Sequence, residues 1–457
     1  MPHRLVVPEI LEALAEGREQ DLVQVLGDLH PNDAASLLSG LDEPKITDVM
    51  SLLPIEMERD VFEYFDPDVQ EAIVRGSGQA RLKQLLAAMA SDDRAEFMDR
   101  LSPPVQESML PLLTKAARED LIRREQFEDD QVGALLSTEY SAIDPGRTAQ
   151  QAIEDIRRQA PGKETIYYGF VVDDGKQLLG LVSLRDLIMA PAHQKVGDLM
   201  VSDVVSVEAT EDQEVAANMI REYDLLAIPV TDHQNRLLGI ITHDDAADIL
   251  EEEAEEDLEK MAGIAAEERS ESYLGATISA QFRRRIPVLT MLAVSFVLIG
   301  LVIEQFEEVI RTGPGVIILL LPMIMATGGN VGNQTSTAVI LGLKHDLEPR
   351  AVLQVLSKEL RVSLCLAAVL SVIAGLEAFY LLKPGEPNPL LVCAAITLAM
   401  ALHVVTAAIL GAVIPLGCAA LGRDPSMVAH PALATVADLS GALIYFVTVV
   451  TLVPIGA

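Results

Sequence analysis

The sequence predicts a multidomain protein: a soluble N-terminal part followed by an α-helical polytopic membrane domain with five spans. The chain has 68 acidic and 34 basic residues and a net charge of −34. Ten residues of each sign follow residue 275, so the first 275 residues carry the whole acidic excess. The neutral remainder holds five apolar stretches, each long enough to cross a bilayer as a helix, which takes roughly 20 residues. Charge and apolar runs therefore separate two kinds of domain.

The acidic excess limits the partners of the soluble part. It attracts cations and repels nucleic acid and anionic lipid heads, so no nucleic-acid partner is expected. An ordinary solvated acidic surface is the alternative interpretation. The three cysteines lie in apolar stretches without metal-ligand spacing. No phosphate loop, nucleophile–base pair or metal triad is found, so no catalytic residue is expected and the chain is not predicted to be an enzyme.

Residues 1–130 are predicted to form an all-α helical-repeat domain. Apolar residues recur there at multiples of twelve positions, at Leu29, Leu41, Leu53, Phe65, Met89, Leu101 and Leu113. Turn or cap residues follow most of them, which indicates short stacked helices. Asp92, Asp93 and Glu96 fall on the first turns of one such helix, where pairing with the helix dipole is the plain alternative to ion binding.

Residues 131–194 and 195–250 are predicted to be two copies of one α/β module. Val132-Gly133 is echoed 64 residues later by Val196-Gly197, and the segment from Gly180 to Asp186 is echoed from Gly239 to Asp245. Each copy gives a helix, a strand, a turn, a strand and a helix in order. The pair resembles tandem CBS domains, which carry the Gly-x-[LIV]-[ST]-x-x-Asp signature. This resemblance implies a module that dimerises and binds adenine nucleotides or ions.

An acidic connecting helix is predicted over residues 251–280. Ten acidic residues and no base lie between Asp244 and Glu259. Like charges on one face destabilise a helix, and a divalent cation bound to carboxylate oxygens would relieve the repulsion. A solvated acidic helix is the alternative. Because the segment stands directly before the first span, it is placed to transmit force to a pore.

The membrane domain, residues 281–457, is predicted to have spans near 286–303, 313–343, 362–382, 389–421 and 427–457. With the N-terminus in the cytoplasm, eight basic residues fall on the cytoplasmic side and two outside. No apolar run of the signal-peptide type follows Met1. We therefore expect a multi-pass protein of the cell (inner) membrane with its C-terminus outside.

Two spans carry polar groups that lipid does not satisfy. The second span holds Asn330, Asn333 and Gln334 beside glycines, and the fifth holds Asp438. Such groups must face protein or a water-filled path, although helix packing alone would explain the glycines. No lysine or arginine lies inside a span to pair with Asp438, so a cation or pore water is the expected partner. A protonated Asp438 bonded to its own helix is the alternative. His403 stands alone on an apolar stretch and is expected to be a bonded core residue.

The complete order resembles the MgtE family of magnesium channels and transporters. The motifs that carry the resemblance are Pro322-Met323 leading to Gly328-Gly329-Asn330-x-Gly332-Asn333-Gln334, and Thr435-x-x-Asp438-x-x-Gly441. The resemblance implies a homodimer in membrane lipid, with Mg²⁺ as both substrate and regulator. The implied pore residues are Asp438, Ala434, Gly328, Gly329, Asn330 and Asn333.

Further sites follow from the same resemblance. Asp438 is an implied metal ligand, and the implied ligands of regulatory Mg²⁺ are Asp92, Glu96, Asp212, Glu214, Asp224, Asp245, Asp248, Glu253, Glu256 and Asp257. ATP binding by the CBS pair is implied around Tyr168, Arg185 and Asp186. Leu225 stands where an aromatic ring would be expected to stack on adenine.

The function expected from the sequence is a magnesium-selective channel that imports Mg²⁺ down its electrochemical gradient. Cytosolic Mg²⁺ bound to the acidic N-terminal, CBS and connecting-helix region would close it. Two alternatives remain open at this point. One is a secondary transporter that couples divalent-cation movement to another ion, and the other is a membrane-anchored, nucleotide-sensing CBS protein.

Overall fold

The chain divides into two units, Met1–Glu251 and Glu252–Ala457. The computed structural model describes residues 10, 12–14, 16, 18–265, 277–345, 351–386 and 388–454, apart from the side chains of residues 161, 345 and 427–432. The first unit holds a helical array and an α/β pair. The second holds the end of the acidic helix and the long apolar helices.

The N-terminal array is a run of short α-helices in which alternate members stack. The helices are α1 (Glu19–Gly27), α2 (Pro31–Leu38), α3 (Glu43–Leu52), α4 (Ile55–Phe62), α5 (Pro67–Gly76), α6 (Gln79–Ala88), α7 (Ser91–Arg100), α8 (Pro103–Met109) and α9 (Lys115–Arg124). A 3₁₀ turn, Leu110–Leu112, follows α8. Helix α2 packs on α4, α3 on α5 and α4 on α6. This confirms the all-α array.

The twelve-residue repeat marks the positions where one helix ends and the next begins. Leu53, Met89 and Leu101 each follow directly on the last residue of a helix and are less than 9% exposed. Their backbone is extended, so the chain turns there while the side chain stays in the core. Proline in the first turn of α2, α3, α5 and α8 starts the next helix, because its missing N–H is not needed there.

The α/β pair has the predicted tandem CBS order, with one added strand in each copy. The first copy comprises α10 (Val132–Leu135), β1 (Ser141–Ile143), α11 (Ala149–Gln159), β2 (Tyr168–Val172), β3 (Leu178–Ser183) and α12 (Leu184–Met189). The second comprises α13 (Val196–Leu199), β4 (Val207–Glu208), α14 (Gln213–Glu222), β5 (Ala227–Thr231) and β6 (Leu237–Thr242). A 3₁₀ turn, Ala160–Gly162, follows α11. Sequence reasoning missed β1 and β4, which are only three and two residues long.

Each copy forms a three-stranded sheet, ordered β1-β2-β3 and β4-β5-β6. The first pairing in each sheet is parallel and the second antiparallel. Phe170 and Leu178 of the first copy share one buried cluster with Ala227, Leu237 and Ile240 of the second. The two copies therefore pack as one body through their strands.

The acidic helix starts earlier than the sequence suggested. Helix α15 (His243–Met261) continues directly from β6, so the last CBS helix and the acidic stretch are one element. The chain leaves the helix after Met261, and Gly263 has a φ of +72°, a left-handed conformation that favours glycine. Residues 266–276 of the predicted connecting segment lie outside the described residues.

Within the described residues of the second unit, five helices are long and apolar enough to cross a membrane. They are α16 (Ile278–Gln305), α18 (Val316–His345), α19 (Val352–Leu381), α20 (Pro389–Ala420) and α21 (Pro425–Leu452), with the short α17 (Glu307–Thr312) after the first. The predicted spans are confirmed as helices. Helix α18 is continuous and contains Pro322 within it.

Helix α20 is the centre of the membrane unit, packed against α18, α19 and α21. Helix α16 packs on α21 and has Ile299 as its buried residue. Close approach of α18 and α20 depends on small residues. A Cβ added to Gly411 would overlap the carbonyl of Gly332 and lie 3.1 Å from Cβ of Thr335. Glycine therefore lets two backbones meet beside the polar motif of α18.

Candidate functional site

Asp438 lies in the middle of α21 as a half-buried carboxylate. Within the part of the chain that the structure describes, Asp438 makes no hydrogen bond and no ion pair. Its neighbours on α21 use their hydroxyls elsewhere. Ser440 Oγ donates to the carbonyl of Ala437 at 3.0 Å, and Thr435 Oγ1 lies 3.2 Å from Ser295 Oγ on α16. The alternative of an Asp438 bonded to its own helix is therefore not observed.

Helix α18 presents a face with two amide side chains that no other described part of the unit covers. Ala326, Asn330, Gln334 and Ala338 recur every four residues and are all exposed. A Cβ added to Gly329 would have no heavy atom within 4 Å among the described residues. Exposed amides in a span need water or protein as a partner, because lipid tails supply none. This face must therefore line an aqueous path or meet a further protein surface.

The remaining predicted pore residues lie on the same two helices but in tighter surroundings. Gly328 packs against the imidazole of His403 on α20. Asn333 Oδ1 is buried and, among the described residues, has no hydrogen-bond partner. Helices α18 and α21 meet near Gly332, where an added Cβ would lie 3.4 Å from Leu433, the residue before Ala434. The pore motifs of the second and fifth spans thus lie on adjacent helices.

The first unit gathers acidic residues from four places in the chain into one carboxylate cluster. Its members come from the end of α4, the first turns of α7, the segment before β2 and the first turns of α15. They are Glu63, Asp92, Asp93, Glu96, Glu164, Asp244, Asp245 and Asp248, defined by their mutual electrostatic influence. The start of α15 thereby joins the helical array to the CBS pair inside this unit.

Burial and mutual repulsion raise the pKa values of six members of the carboxylate cluster. Burial raises the pKa of Asp92 to about 7, with Asp245 and Asp93 adding to the effect and Arg124 opposing it. Burial raises the pKa of Asp93 to about 6, and Asp245 is the next contributor. Burial also raises the pKa of Asp245, although hydrogen bonds from Thr242 lower it. Each group is harder to ionise because burial removes it from water and negative charge lies nearby.

The outer members show the same behaviour. Burial raises the pKa of Glu164 to about 9, helped by Asp92 and Asp93. Burial raises the pKa of Glu63 to about 8, helped by Asp93 and opposed by Arg59. The pKa of Asp248 is raised first by burial and then by Asp245 and Glu96. Among the described residues, the basic groups that oppose the rise in pKa are Arg124 at Asp92 and Arg59 at Glu63 and Asp93. They are fewer than the acids of the cluster, so a bound cation would reduce the repulsion.

The acids of the carboxylate cluster lie close enough to influence one another but do not converge on a single ion-sized position. Among the described residues, no three His, Cys, Asp or Glu side chains converge as the ligands of one metal ion would. Asp92 Oδ1 is buried and has no hydrogen-bond partner among them. Glu96 binds Arg100 one turn along α7. An ion held here would need one or two carboxylates together with water molecules, which is the usual way that Mg²⁺ binds.

Another predicted trio of ligands is not brought together. Asp212 caps α14, where its Oδ1 accepts a hydrogen bond from the backbone N–H of Glu214 at 2.8 Å. Asp224 lies beyond the other end of this ten-residue helix, with a φ of +51°. A helix of that length spans about 15 Å. Asp212 and Glu214 therefore share one location within the chain, and Asp224 occupies a different one.

The end of α15 makes ion pairs within the second unit. Asp257 binds Lys344 on α18, and Glu259 binds Arg284 on α16. Lys260 Nζ lies 3.1 Å from Asp424, which caps α21, and 3.0 Å from Glu256. Glu253 lies one turn before Asp257 and is partly buried. Two of the predicted metal ligands, Glu256 and Asp257, are thus paired with lysines here.

The implied nucleotide residues fall on the first CBS copy. Tyr168 begins β2 and packs against the cluster shared by both copies. Arg185 and Asp186 open α12 and are exposed, and Ser183 Oγ donates to Asp186 Oδ2 at 2.5 Å. Leu225 packs into the core of the second copy. The charged groups suit the phosphates and ribose hydroxyls of a nucleotide, but no aromatic ring stands at position 225 for the base.

Sequence reasoning missed several members of these sites. Glu63 and Glu164 join the carboxylate cluster from distant segments, and no local pattern marks them. The partners of the α15 acids, Lys344, Arg284 and Asp424, had a usable signal. They lie near the ends of spans on the same predicted side of the membrane as α15, where opposite charges are able to meet.

The chain matches family models along most of its length. The divalent cation transporter model MgtE matches residues 321–448, the MgtE intracellular N domain model matches residues 29–130, and the CBS domain model matches residues 132–193 and 196–252. The magnesium transporter MgtE of Thermus thermophilus is 32% identical over 97% of this chain and 98% of that protein. The magnesium transporter MgtE of Bacillus subtilis is 27% identical over 98% and 97%.

Two solved structures resemble the soluble part. A crystal structure of the soluble part of a magnesium transporter is 30% identical, covers 55% of this chain and 99% of its own, and gives a TM-score of 0.52. The cytosolic domain of the Mg²⁺ channel MgtE in complex with ATP is 33% identical, covers 53% and 99%, and gives a TM-score of 0.50. With these matches and its five candidate membrane helices, the chain belongs to the MgtE family of divalent cation transporters, as a multi-pass membrane protein and not an enzyme.

Proposed function

We propose that the chain is a magnesium channel that imports Mg²⁺ down its electrochemical gradient, with Asp438 as the cation-binding residue of the pore. The observation that carries the proposal is the state of Asp438: a half-buried carboxylate inside a membrane helix, without a hydrogen bond or ion pair among the described residues. A charge in that position costs several kcal/mol unless water or a cation solvates it. A passing divalent ion supplies what the protein does not.

The surroundings of Asp438 suit a hydrated ion. Mg²⁺ gives up its water reluctantly and is bound through one or two carboxylates with several waters retained. Ala434 lies one turn before Asp438 and leaves room that a larger side chain would fill. In a homodimer, two copies of Asp438 would share the ion, while Asn330 and Gln334 would hydrogen-bond its water. The dimer and its lipid surroundings are part of the proposal.

Closure by cytosolic Mg²⁺ is the second part of the proposal. The carboxylate cluster repels itself and does not converge on one point, so a bound Mg²⁺ with its water would stabilise the arrangement in which α7, α15 and the CBS pair are drawn together. An ion that binds this state more tightly shifts the population towards it. We infer that this state is the closed one. Asp212, Glu214 and Asp224 are proposed as further ligands. Because Asp224 lies at the other end of α14 from Asp212 and Glu214, they would bind an ion together only if residues of a second chain completed the site.

The end of α15 would connect ion binding to the spans. Asp257 and Glu259 attach it to basic residues of α18 and α16. Glu253, Glu256 and Asp257 are proposed as ligands of regulatory Mg²⁺. The ion would either displace the lysine ammonium groups now bound to Glu256 and Asp257 or bind these carboxylates together with them. The distribution of basic residues supports a cytoplasmic N-terminus and an external C-terminus in the cell (inner) membrane.

ATP binding at the CBS pair is proposed around Tyr168, Arg185 and Asp186. The support is the exposed charge of Arg185 for phosphates, the carboxylate of Asp186 for ribose, and the ATP complex of a similar cytosolic domain. Because Leu225 offers no ring to the adenine, we expect binding weaker than an aromatic residue at that position would give. ATP would act as a regulator and takes no part in ion movement.

The experiment that tests channel function measures ion movement without a coupling gradient. Full-length protein is reconstituted into a planar bilayer with Mg²⁺ as the sole permeant cation and no sodium or proton gradient. A channel gives Mg²⁺ currents that reverse at the Mg²⁺ equilibrium potential. Flux that appears only when a sodium or proton gradient is imposed would establish the coupled transporter instead. Absence of flux under both conditions would favour the membrane-anchored nucleotide sensor.

A further inference from the structure

His403 is fully buried at the centre of the membrane unit, on α20. Its imidazole lies between two glycines that belong to different helices, Gly328 of α18 and Gly441 of α21. Gly328 lies two residues before Asn330, and Gly441 lies three residues after Asp438. A single side chain of α20 therefore contacts both helices that carry the polar motifs.

The fit between the ring and the two glycines is steric. A Cβ added to Gly441 would lie 2.6 Å from Cε1 and 2.7 Å from Nε2 of His403. A Cβ added to Gly328 would overlap the same ring. Atoms at such distances repel strongly, so either helix would have to move away if its glycine were larger. The imidazole fills the space that two missing side chains leave.

The ring is held by packing and not by directed hydrogen bonds. Neither Nδ1 nor Nε2 has a hydrogen-bond partner of good geometry among the described residues, although the backbone of Met325 lies close enough to interact. The expectation of a core histidine is confirmed by its burial, but the expected hydrogen bond is not observed among the described residues. Because tightly packed interiors transmit displacement from one element to the next, a change in this ring's volume would move α18 and α21 relative to each other.

We propose that His403 is a positioning residue for the ion path: its imidazole sets the separation of α18 and α21 and thereby the position of Asp438. This inference rests on the proposed function, because it concerns the placement of the proposed pore carboxylate. His403 itself touches no ion. It acts through the two glycines, and the same ring volume that excludes a methyl group at Gly441 prevents the two helices from closing on each other.

The test is a pair of substitutions whose effects should not be independent. Full-length variants Gly441→Ala, His403→Ala and the double variant are reconstituted into liposomes, and Mg²⁺ influx is measured per folded protein. Each single substitution should lower influx by roughly tenfold, because even a small displacement of Asp438 from the position that binds the ion is costly. The double variant should conduct at least as well as the weaker single variant, because the added methyl group then occupies vacated space. Multiplied losses, roughly a hundredfold, would overturn the proposal.

Gly417→Ala, on α20 like His403, is the control for adding a methyl group, because nothing described lies within 4 Å of a Cβ added there. It should leave influx unchanged alone and show no coupling to His403→Ala. A second readout separates positioning from folding: the ratio of Mg²⁺ to Ca²⁺ influx should fall in His403→Ala, since a displaced Asp438 alters the space for the ion. An unchanged ratio together with independent losses would show a purely structural role.

If His403→Ala fails to yield folded protein, His403→Gln replaces it, since it keeps a similar length with less width. Its coupling to Gly441→Ala should have the same sign, and independence there would equally overturn the proposal. Asp438→Asn in the same assay distinguishes the two levels. If Asp438→Asn blocks influx while the His403 cycle shows no coupling, this inference alone fails. If Asp438→Asn conducts normally, the proposed function fails first.

Discussion

Asp438 and the carboxylate cluster differ in how many negative charges share one environment. In the membrane unit, a single carboxylate lies on α21, with no ion pair or hydrogen bond among the described residues. In the first unit, eight acids from distant segments influence one another, and burial raises the pKa of six of them, in Glu164 to about 9. One site offers an ion a single charge and room for its water. The other would gain stability on binding a cation, because its acids repel one another.

The difference shows how one chain is able to use the same ion in two ways. A permeation site must release its ion, and one carboxylate per chain surrounded by weak hydrogen-bonding groups keeps binding modest. A regulatory site must hold its ion long enough to change a population, and crowded carboxylates provide a larger gain on binding. Under the proposed function, the same electrostatics would give transport in one unit and feedback in the other.

Neutralising the core of the carboxylate cluster should have the largest effect on regulation. With Asp92→Asn, Asp93→Asn and Asp245→Asn combined, the Mg²⁺ concentration that halves influx should rise by at least about tenfold. Each regulatory ion that no longer binds removes its contribution to the stability of the closed state. Influx through full-length protein in liposomes is measured against internal Mg²⁺. Asp42→Asn, an exposed acid outside the cluster, is the control. Unchanged shutoff in the triple variant would remove the cluster from the regulatory account.

Neutralising the end of the acidic helix tests whether the ion pairs or the ions matter there. Glu253→Gln, Glu256→Gln and Asp257→Asn together should leave influx high at Mg²⁺ concentrations that close the unmodified protein. The control triple, Glu251→Gln, Glu252→Gln and Glu255→Gln, changes the same number of charges on exposed positions. Lys344→Gln separates the two contributions. If it alone reproduces the open behaviour, the ion pair with Asp257 holds the closed state without Mg²⁺.

The pKa values predict how pH changes stability. Folding raises the pKa of Asp92 from 3.8 to about 7 and that of Glu63 from 4.5 to about 8. The folded protein thus binds these protons more tightly than the unfolded chain, so stability is lost as pH rises through that range. In Mg²⁺-free detergent solution, the melting temperature should fall between about pH 5 and pH 8.5. Added Mg²⁺ should raise it more at pH 8.5 than at pH 5, and the reverse order would contradict this.

The smallest effect expected concerns nucleotide binding. Leu225→Tyr should strengthen ATP binding by about tenfold, because stacking of a base on an aromatic ring contributes roughly 1–3 kcal/mol. Isothermal titration with ATP and the full-length protein measures it, and Leu226→Tyr, at an exposed neighbouring position, is the control. Equal gains in both variants would mean that position 225 does not face the base.

The fold was largely predictable because its elements are local. The twelve-residue repeat predicts the helical array, the echoed motifs predict the CBS pair, and the apolar runs predict the membrane helices. Each pattern depends on residues close together in the chain, and the structure confirms all three. The candidate sites were predictable only in part. Asp438 stood out because a charge is rare in a span, and the acids of α15 because they are dense. Glu63 and Glu164 reach the carboxylate cluster through tertiary packing, and the contact of His403 with Gly328 and Gly441 depends on helix register, which no local pattern encodes.

Magnesium influx through Asp438→Asn compared with Glu377→Gln tests the central claim most directly. Both substitutions remove one carboxylate from a long apolar helix, but Glu377 is exposed on α19. In liposomes with a Mg²⁺ gradient and matched amounts of folded protein, Asp438→Asn should abolish influx while Glu377→Gln conducts like the unmodified chain. Undiminished influx through Asp438→Asn would contradict the assignment of Asp438 as the cation-binding residue of the pore.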